Sequence, residues 1–287
     1  MIEYHTLNDL IELSAEKELE VWEIIQQADM YENDRTESDS FNMMRDMYDA
    51  MKNADSMYDG TLRSASKKAG GDGELLHAYN ESGKNICGSF MGKVMEKAIK
   101  MGESNACMRR IVAAPTAGSC GVLPAVLLSY EEDFCVAEDD MVKAMYVAAG
   151  IGKVIAENAF IAGAAGGCQA EIGSASAMAA GALSFLQGGD SSAIINAATL
   201  SLKNFLGLVC DPVAGLVEVP CIKRNSYGAV NAVTSAQLSL AGIKSAIAPD
   251  DVIDSMRRIG NQLPASLKET SCGGLATTES AQNYLNN

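Results

Sequence analysis

The 287-residue chain has few aromatic, histidine and basic side chains. Aromatic residues make up 6% of the sequence, and it contains two histidines and one tryptophan. Its 22 lysines and arginines are outnumbered by 37 aspartates and glutamates, which gives a net charge of −15. Because nucleic acids and anionic membrane surfaces bind clustered basic side chains, we expect neither as a partner. With so few aromatic residues, the interior must consist largely of small and flexible side chains.

The N-terminal sequence also lacks the basic and apolar segments of a secretory signal peptide. We therefore expect a cytoplasmic location, where the eight cysteines are reduced and metal or redox roles gain weight over disulfides. The uncharged apolar stretch Ile172–Gly189 is long enough to span a bilayer. Its high content of Gly, Ala and Ser favours a tightly packed helix of a globular protein instead.

Helical spacing of apolar residues runs along almost the whole chain and predicts an all-α fold with long functional loops. We expect a single catalytic domain over residues 1–287. Within it, residues 1–75 carry 18 acidic and 7 basic side chains and are predicted to be an acidic helical part. Residues 82–278 form the core in which the sequence motifs lie.

Capping residues and glycines set the bounds of the predicted helices. Three helices are expected near residues 7–29, 40–57 and 88–101, with Gly102 ending the third. Three more are expected to start at aspartate caps. These caps are Asp139 or Asp140, Asp190 with Gly207 beyond the helix end, and Asp250 with Gly260 as the stop. Two short apolar runs, Ile111–Ala114 and Leu216–Val219, are the only candidates for strands.

One segment is unusually rich in small residues. Between Asn158 and Gly181, 16 of 24 residues are Ala, Gly or Ser, and Glu171 carries the only charge. Small side chains let backbones approach closely. The segment therefore indicates either tight packing between helices or backbone groups crowded around something buried, such as a cofactor.

Three cysteines lie beside Gly or Pro: Cys168, Cys210 and Cys221. They are separated by 41 and 10 residues, a spacing that matches neither paired zinc motifs nor the common ferredoxin runs. On spacing alone, three inert buried thiols are the favoured interpretation.

A second candidate site is Asn105 together with AAPTAGSCG at residues 113–121. Pro115 and Gly118 indicate a turn that leads into a helix. The hydroxyls of Thr116 and Ser119 and free backbone N–H groups at a helix start can hold a carboxylate or a phosphate. An ordinary capped helix start explains the same residues.

Three other catalytic motifs do not match this sequence. Lys84 lacks the glycine pattern of a phosphate-binding loop, and a pyridoxal Schiff base on it would call for strands that the chain lacks. His5 and His77 are the only histidines available for a Ser–His–Asp triad, and neither lies in a suggestive context.

Several long motifs nevertheless occur together in one order: IVAAPTAGSCGVLPAVL, GCQAEIGSASAMAAG, CDPVAGLVEVPCIKRN and KETSCGGLATT. From about Ser82 to Thr278 the sequence resembles the alpha chain of the iron–sulfur-dependent L-serine dehydratases (L-serine ammonia-lyases). This resemblance outweighs the interpretation of Cys168, Cys210 and Cys221 as inert buried thiols. It implies a lyase that converts L-serine to pyruvate and ammonia, in amino-acid degradation and gluconeogenesis, without pyridoxal.

The resemblance also implies the site. A [4Fe-4S] cluster would be held by Cys168, Cys210 and Cys221, with the fourth iron open to act as a Lewis acid on the serine hydroxyl. The substrate-binding segment would run from Pro115 through Thr116, Ala117 and Gly118 to Ser119, with Asn105 just upstream.

Two features depart from that family or are missing from the chain. The Ser-Ser-His-Thr segment of the family's second region is absent, so the base that takes the Cα proton is unknown here and is expected on a beta subunit. Cys272 replaces an apolar residue in the glycine-rich tail. It is interpreted as an incidental cysteine, with ligation of the open iron as the alternative, while Cys120 beside the substrate loop is ambiguous.

The sequence thus predicts the catalytic alpha subunit of a cytoplasmic L-serine dehydratase. A related lyase for threonine or cysteine is the alternative among enzymes. A non-catalytic iron–sulfur oxygen sensor is the alternative from another class, although a sensor needs no substrate loop.

Overall fold

A computed structural model describes residues 2–284, so Met1 and the last three residues of the predicted domain lie outside the described range. The expected all-α class is confirmed: within residues 2–284 there is no β-strand, and a single isolated bridge pairs Cys210 with Lys268. The helices are α1 Leu7–Lys17, α2 Val21–Asn33, α3 Glu37–Ser56, α4 Asp72–Glu81, α5 Gly88–Ala106, α6 Val122–Phe134, α7 Glu138–Asn158, α8 Gly163–Gly166, α9 Ser174–Leu186, α10 Ser191–Asn204, α11 Cys221–Leu240, α12 Pro249–Gln262 and α13 Glu279–Gln282.

The predicted first helix is in fact two helices. Glu18 ends α1 in the left-handed region (φ 54°), and the Leu19 amide returns to the carbonyl of Ser14. Glu20 then caps α2, and Glu23 bonds back to the Glu20 amide over 2.7 Å. These capping hydrogen bonds end one helix and start the next, although the helical spacing of apolar residues continues across the break.

The prediction that Gly102 and Gly260 end their helices is wrong, because both lie inside helices. A Cβ on Gly102 would lie 3.3 Å from the Cα of Ile222 in α11. A Cβ on Gly260 would lie 3.1 Å from the Cα of Gly166 in α8. Each glycine allows another helix to approach closely. In the sequence, such a glycine cannot be distinguished from one that ends a helix.

The aspartate caps are partly right. Asp190 caps α10 as predicted, since its carboxylate accepts the Ala193 amide at 2.7 Å. Asp139 and Asp140 lie in the first turn of α7, after the N-cap residue Ala137, so neither is the cap. Their charge still complements the positive end of the helix.

Asp250 follows the N-cap residue Ala248 of α12 and caps a different helix. Its two carboxylate oxygens accept the amides of Leu7 and Asn8, at 2.8 and 3.1 Å, in the first turn of α1. One side chain thus satisfies two unpaired donors of a helix that is about 240 residues away in sequence.

Both strand candidates are wrong. Ile111–Ala114 and Leu216–Val219 are irregular loops with no partner strand. In the second loop the Val219 carbonyl accepts the Val213 amide at 2.8 Å, which closes the chain on itself. Short apolar runs do not distinguish strands from partly buried loops.

Helix α9 lies at the centre of the bundle. It contacts α6, α7, α10 and α11, and every residue from Ser174 to Ser184 is buried. A Cβ on Gly181 would lie 2.2 Å from Cδ1 of Ile151, so the absence of a side chain in α9 makes room for an isoleucine of α7. The acidic helices α2 and α3 form an outer layer against α7, while α1 contacts α10 and α12. Among the described residues, no helix is both long enough and apolar enough to cross a bilayer.

Removing the carboxylate that joins α1 to α12 should weaken the fold. We expect Asp250→Ala to lower the free energy of unfolding by about 1–2 kcal/mol, because two backbone donors lose their acceptor. Asp251→Ala, in the same turn of α12 but exposed and without this contact, is the matched control, with a change within about 0.5 kcal/mol. Denaturant unfolding checks both, and equal losses would contradict the role of Asp250.

Candidate metal centre

Three separate segments bring Cys168, Cys210 and Cys221 to one end of the central helix. Cys168 follows α8, Cys210 lies in the loop after α10, and Cys221 is the first residue of α11. Cys168 and Cys210 are 2% exposed and Cys221 is 7% exposed, and all three are free thiols. Residues distant in sequence therefore form one buried sulfur-rich site.

Cys168, Cys210 and Glu171 are the closest group. Their two Sγ atoms and a carboxylate oxygen all lie within 4.8 Å of one another, a spacing at which one metal ion or cluster can be held. Cys221 lies outside this tight group. Burial, with smaller effects of the neighbouring Cys168 and Glu171 charges, raises the pKa of Cys221 to about 12, which places its thiol within electrostatic reach of both.

The segment that carries Cys168 and Glu171 is a π-helical turn, Gln169–Gly173, that runs into α9. Gln169 is fully buried and holds the turn in place. Its side-chain amide donates to the carbonyls of Gly166 and Met256 at 2.9 and 3.1 Å, and its oxygen accepts the Gly207 amide at 2.9 Å. The π turn sets Glu171 three residues after Cys168 on the same side, a placement typical of functional sites.

The loop that carries Cys210 is held by the C-terminal tail. The Cys210 amide donates to the Leu267 carbonyl at 2.9 Å, and the Glu269 amide donates to the Cys210 carbonyl at 2.8 Å. Next to it, the Asp211 carboxylate accepts the Leu275 amide at 2.9 Å. The glycine-rich tail thus fixes the backbone of a candidate ligand.

Arg224 supplies the positive charge at the site. Its guanidinium donates to the Val209 carbonyl and to the Asp211 carboxylate, both at 2.9 Å. A hydrogen bond from Cys210, together with the nearby Arg224, lowers the pKa of Cys168 despite burial. The same hydrogen bond, and then burial, raises the pKa of Cys210. The site therefore favours one thiolate on Cys168, the ionised form in which cysteine binds metals.

Glycine leaves space beside these groups. A Cβ on Gly163 would lie 2.8 Å from the Cys210 Sγ and 2.8 Å from Oε2 of Glu171. Such a position tolerates no side chain without displacing the sulfur or the carboxylate. The upstream half of the small-residue segment therefore surrounds the candidate ligands, and the downstream half packs helices.

The predicted substrate segment meets the thiol site through Glu171. Thr116 precedes a short 3-10 turn, Ala117–Ser119, and its hydroxyl donates to Oε1 of Glu171 at 2.8 Å. The hydroxyls of Thr116 and Ser119 are 3.0 Å apart. The turn therefore faces the same space as Cys168 and Cys210.

Two asparagines brace this turn. Asn105 donates to the Ala117 carbonyl at 3.2 Å. Asn225, which is 1% exposed, accepts the Gly121 amide at 2.8 Å and donates to the carbonyls of Gly118 and Cys221 at 2.8 and 3.0 Å. One buried side chain thus fixes the turn relative to the helix that begins at Cys221.

Four other residues considered in the sequence have polar partners outside the group of Cys168, Glu171 and Cys210. Cys272 is exposed, and its thiol donates to the Thr270 carbonyl at 3.2 Å. Cys120 is fully buried and donates weakly to the Met101 carbonyl at 3.8 Å, and burial raises its pKa to about 12, as for an inert packed thiol. His5 and His77 are exposed on other surfaces, beside glutamates at 3.7 and 3.0 Å.

Sequence reasoning did not single out Arg224 and Asn225 at the site. Both stand in the CIKRN string, where nothing local distinguishes them from surface residues. For Glu171 the sequence did contain a signal, since this residue is the only charge in the small-residue segment.

The sequence matches the family described as "Serine dehydratase alpha chain" over residues 16–276. The match therefore reaches into the acidic helices, well before Ser82, where the recognisable motifs begin. The chain is 43% identical to the "Probable L-serine dehydratase, alpha chain" of Bacillus subtilis over 275 residues, which cover 96% of this chain and 92% of that one. It is 38% identical to the "L-serine dehydratase, alpha chain" of Peptoniphilus asaccharolyticus over 97% of this chain and 96% of that one.

A longer relative matches only part of the chain. The "L-serine dehydratase" of Streptomyces coelicolor is 46% identical over 181 residues, which cover 62% of this chain and 40% of that protein. More than half of the longer relative therefore has no counterpart in the aligned region.

Truncating Asn225 should loosen the turn. We expect Asn225→Ala to lower the free energy of unfolding by about 2–3 kcal/mol, because buried backbone groups lose their partners. Hydrogen exchange at the Gly121 amide should become faster as well. Thr234→Ala, on an exposed position of the same helix, should change stability by less than about 0.5 kcal/mol and leave this exchange rate unchanged. Unaltered protection of Gly121 in Asn225→Ala would refute the brace.

Proposed function

Because the chain belongs to the serine dehydratase alpha chain family, we propose that it is the alpha chain of an L-serine dehydratase, a lyase that forms pyruvate and ammonia from L-serine. The observation that carries this proposal is the meeting of two motifs in space. The Thr116 turn and the Cys168–Cys210 pair contact the same carboxylate, Glu171. A substrate held by the turn would therefore lie beside the thiols.

The thiol site fits the iron–sulfur cluster expected for the family. All three cysteines are buried and free, Cys168 and Cys210 are adjacent, and Cys221 is within electrostatic reach of Cys168. Glycine at position 163 leaves space at the Cys210 sulfur. Sulfur donors are the ligands that iron–sulfur clusters require. These three residues would hold a [4Fe-4S] cluster. When bound, an iron without a cysteine ligand supplies a Lewis acid for the serine hydroxyl.

The chain's own residues bind and orient the substrate. Pro115, Thr116, Ala117, Gly118 and Ser119 form the proposed carboxylate site, which Asn105 braces. The first N–H groups of a helical turn have no acceptor within the turn, so those of Ala117 and Gly118 are suited to a carboxylate. Arg224 stabilises the anionic form of Cys168, which lowers the cost of gathering negative ligands in a buried site.

The base that takes the Cα proton is proposed to come from a beta chain. Both histidines of this chain lie on other surfaces. The longer relative from Streptomyces has over half its length outside the aligned region, which leaves room there for a second part of the enzyme. A cytoplasmic setting belongs to the same proposal, because three free thiols require reducing conditions.

Replacing a proposed ligand should remove the cluster. We expect Cys168→Ser, Cys210→Ser and Cys221→Ser each to lose most of the bound iron and the brown absorbance of anaerobically prepared protein, with loss of pyruvate formation. Cys87→Ser is the control, because Cys87 is an exposed thiol at the start of α5 and does not belong to the group of Cys168, Glu171 and Cys210. Iron and sulfide analysis of each variant is the measurement. A variant that keeps a full, active cluster would show that its cysteine is no ligand.

We expect pyruvate formation to depend on a beta chain. The chain expressed alone should bind iron but form little pyruvate from L-serine, and added beta chain should restore turnover. The assay uses L-serine, L-threonine and L-cysteine in parallel, so a preference for another amino acid would replace L-serine as the substrate. Full activity of the single chain would overturn the two-chain proposal. An iron-loaded complex that deaminates none of the three would favour an oxygen sensor.

A further inference from the structure

Glu171 is a carboxylate without a cation of its own. It is the only charge between Asn158 and Gly181, it is partly buried, and no salt bridge to it occurs within residues 2–284. The cation that acts on it, Arg224, is already bonded to Val209 and Asp211. A carboxylate inside a site that has no salt-bridge partner of its own is a suitable acceptor for a positive group of a ligand.

The position of the carboxylate shows where that positive group would come from. Oε1 accepts a hydrogen bond from Thr116, in the turn proposed to bind the substrate carboxylate. Oε2 faces Gly163, and the Cys210 sulfur lies within 4.8 Å of the carboxylate. A Cβ on Gly118 would lie 3.2 Å from Oε1, so glycine also keeps the side of the substrate turn open. Glu171 thus stands between the carboxylate site and the cluster site.

L-serine carries one positive group, its α-ammonium, between its carboxylate and its hydroxyl. If the carboxylate lies on the Thr116 turn and the hydroxyl points towards the cluster, the ammonium falls at the intermediate position. We propose that Glu171 binds the α-ammonium of the substrate and thereby selects amino acids over other hydroxy acids. The inference rests on the proposed function and assigns a specificity-determining residue to that site. A charged hydrogen bond of this kind is strong in a buried site.

The test compares ligands with and without the ammonium group. L-serine and 3-hydroxypropanoate share the carboxylate and the hydroxyl, and only L-serine has the amine. For the iron-loaded complex of alpha and beta chains, the KM for L-serine and the inhibition constant of 3-hydroxypropanoate are measured in wild type and Glu171→Gln. The amide keeps the size of the side chain and its acceptor for Thr116, but removes the charge.

We expect Glu171→Gln to raise the KM for L-serine on the order of a hundredfold, as for the loss of one partner of a buried charge pair. Binding of 3-hydroxypropanoate should change less than about threefold, and iron content should stay at the wild-type level. Glu269→Gln is the matched control, because Glu269 adds negative charge near Glu171 but its side chain is exposed. It should leave the preference for L-serine unchanged.

If Glu171→Gln turns over too slowly for kinetics, calorimetry with L-alanine and propanoate gives the same comparison without a hydroxyl to eliminate. Equal weakening of the amine and desamino ligands would overturn the inference, since Glu171 would then act on groups that both share. Loss of iron in Glu171→Gln would also overturn it and make Glu171 a cluster ligand. Neither result contradicts the proposed function, which fails only if the wild-type complex forms no pyruvate from L-serine.

Discussion

Close approach of backbones around helix α9 is the constraint on which the rest of the structure depends. In α9 the small side chains let four helices pack on one buried helix, with Gly181 against Ile151 as the tightest point. Just upstream, the same composition has another effect. Gly163 and the π-helical turn bring two thiols and a carboxylate within 4.8 Å. Larger residues in this segment would separate the helices and displace the candidate ligands.

The charges of the site are unbalanced in the protein alone. Burial raises the pKa of the Glu171 carboxyl, which makes its ionised form unfavourable, and Arg224 is the cation that acts on both Glu171 and Cys168. Arg224 also binds Asp211, whose other oxygen holds the Leu275 amide of the tail. An iron–sulfur core and the ammonium of the proposed substrate would both bring positive charge to this site, which would link cofactor and substrate binding through electrostatics.

The acidic N-terminal helices contribute to the scaffold and not to the site. They cover α7 and reach α12, where Asp250 caps α1. Braces such as Gln169 and Asn225 instead tie the site to its immediate surroundings through buried amides.

The sequence alone determined the helical class, the cap of α10 and, through its motifs, the family, because apolar periodicity and long motifs are local or linear signals. It misplaced the ends marked by Gly102 and Gly260, since a glycine that stops a helix and one that admits a neighbouring helix look the same in sequence. Only the tertiary structure decided that Glu171 joins the Thr116 turn to the thiols. It alone revealed that Asn225 braces the turn against α11. These contacts join residues 55 and 107 positions apart, and such pairings arise from packing that no local pattern encodes.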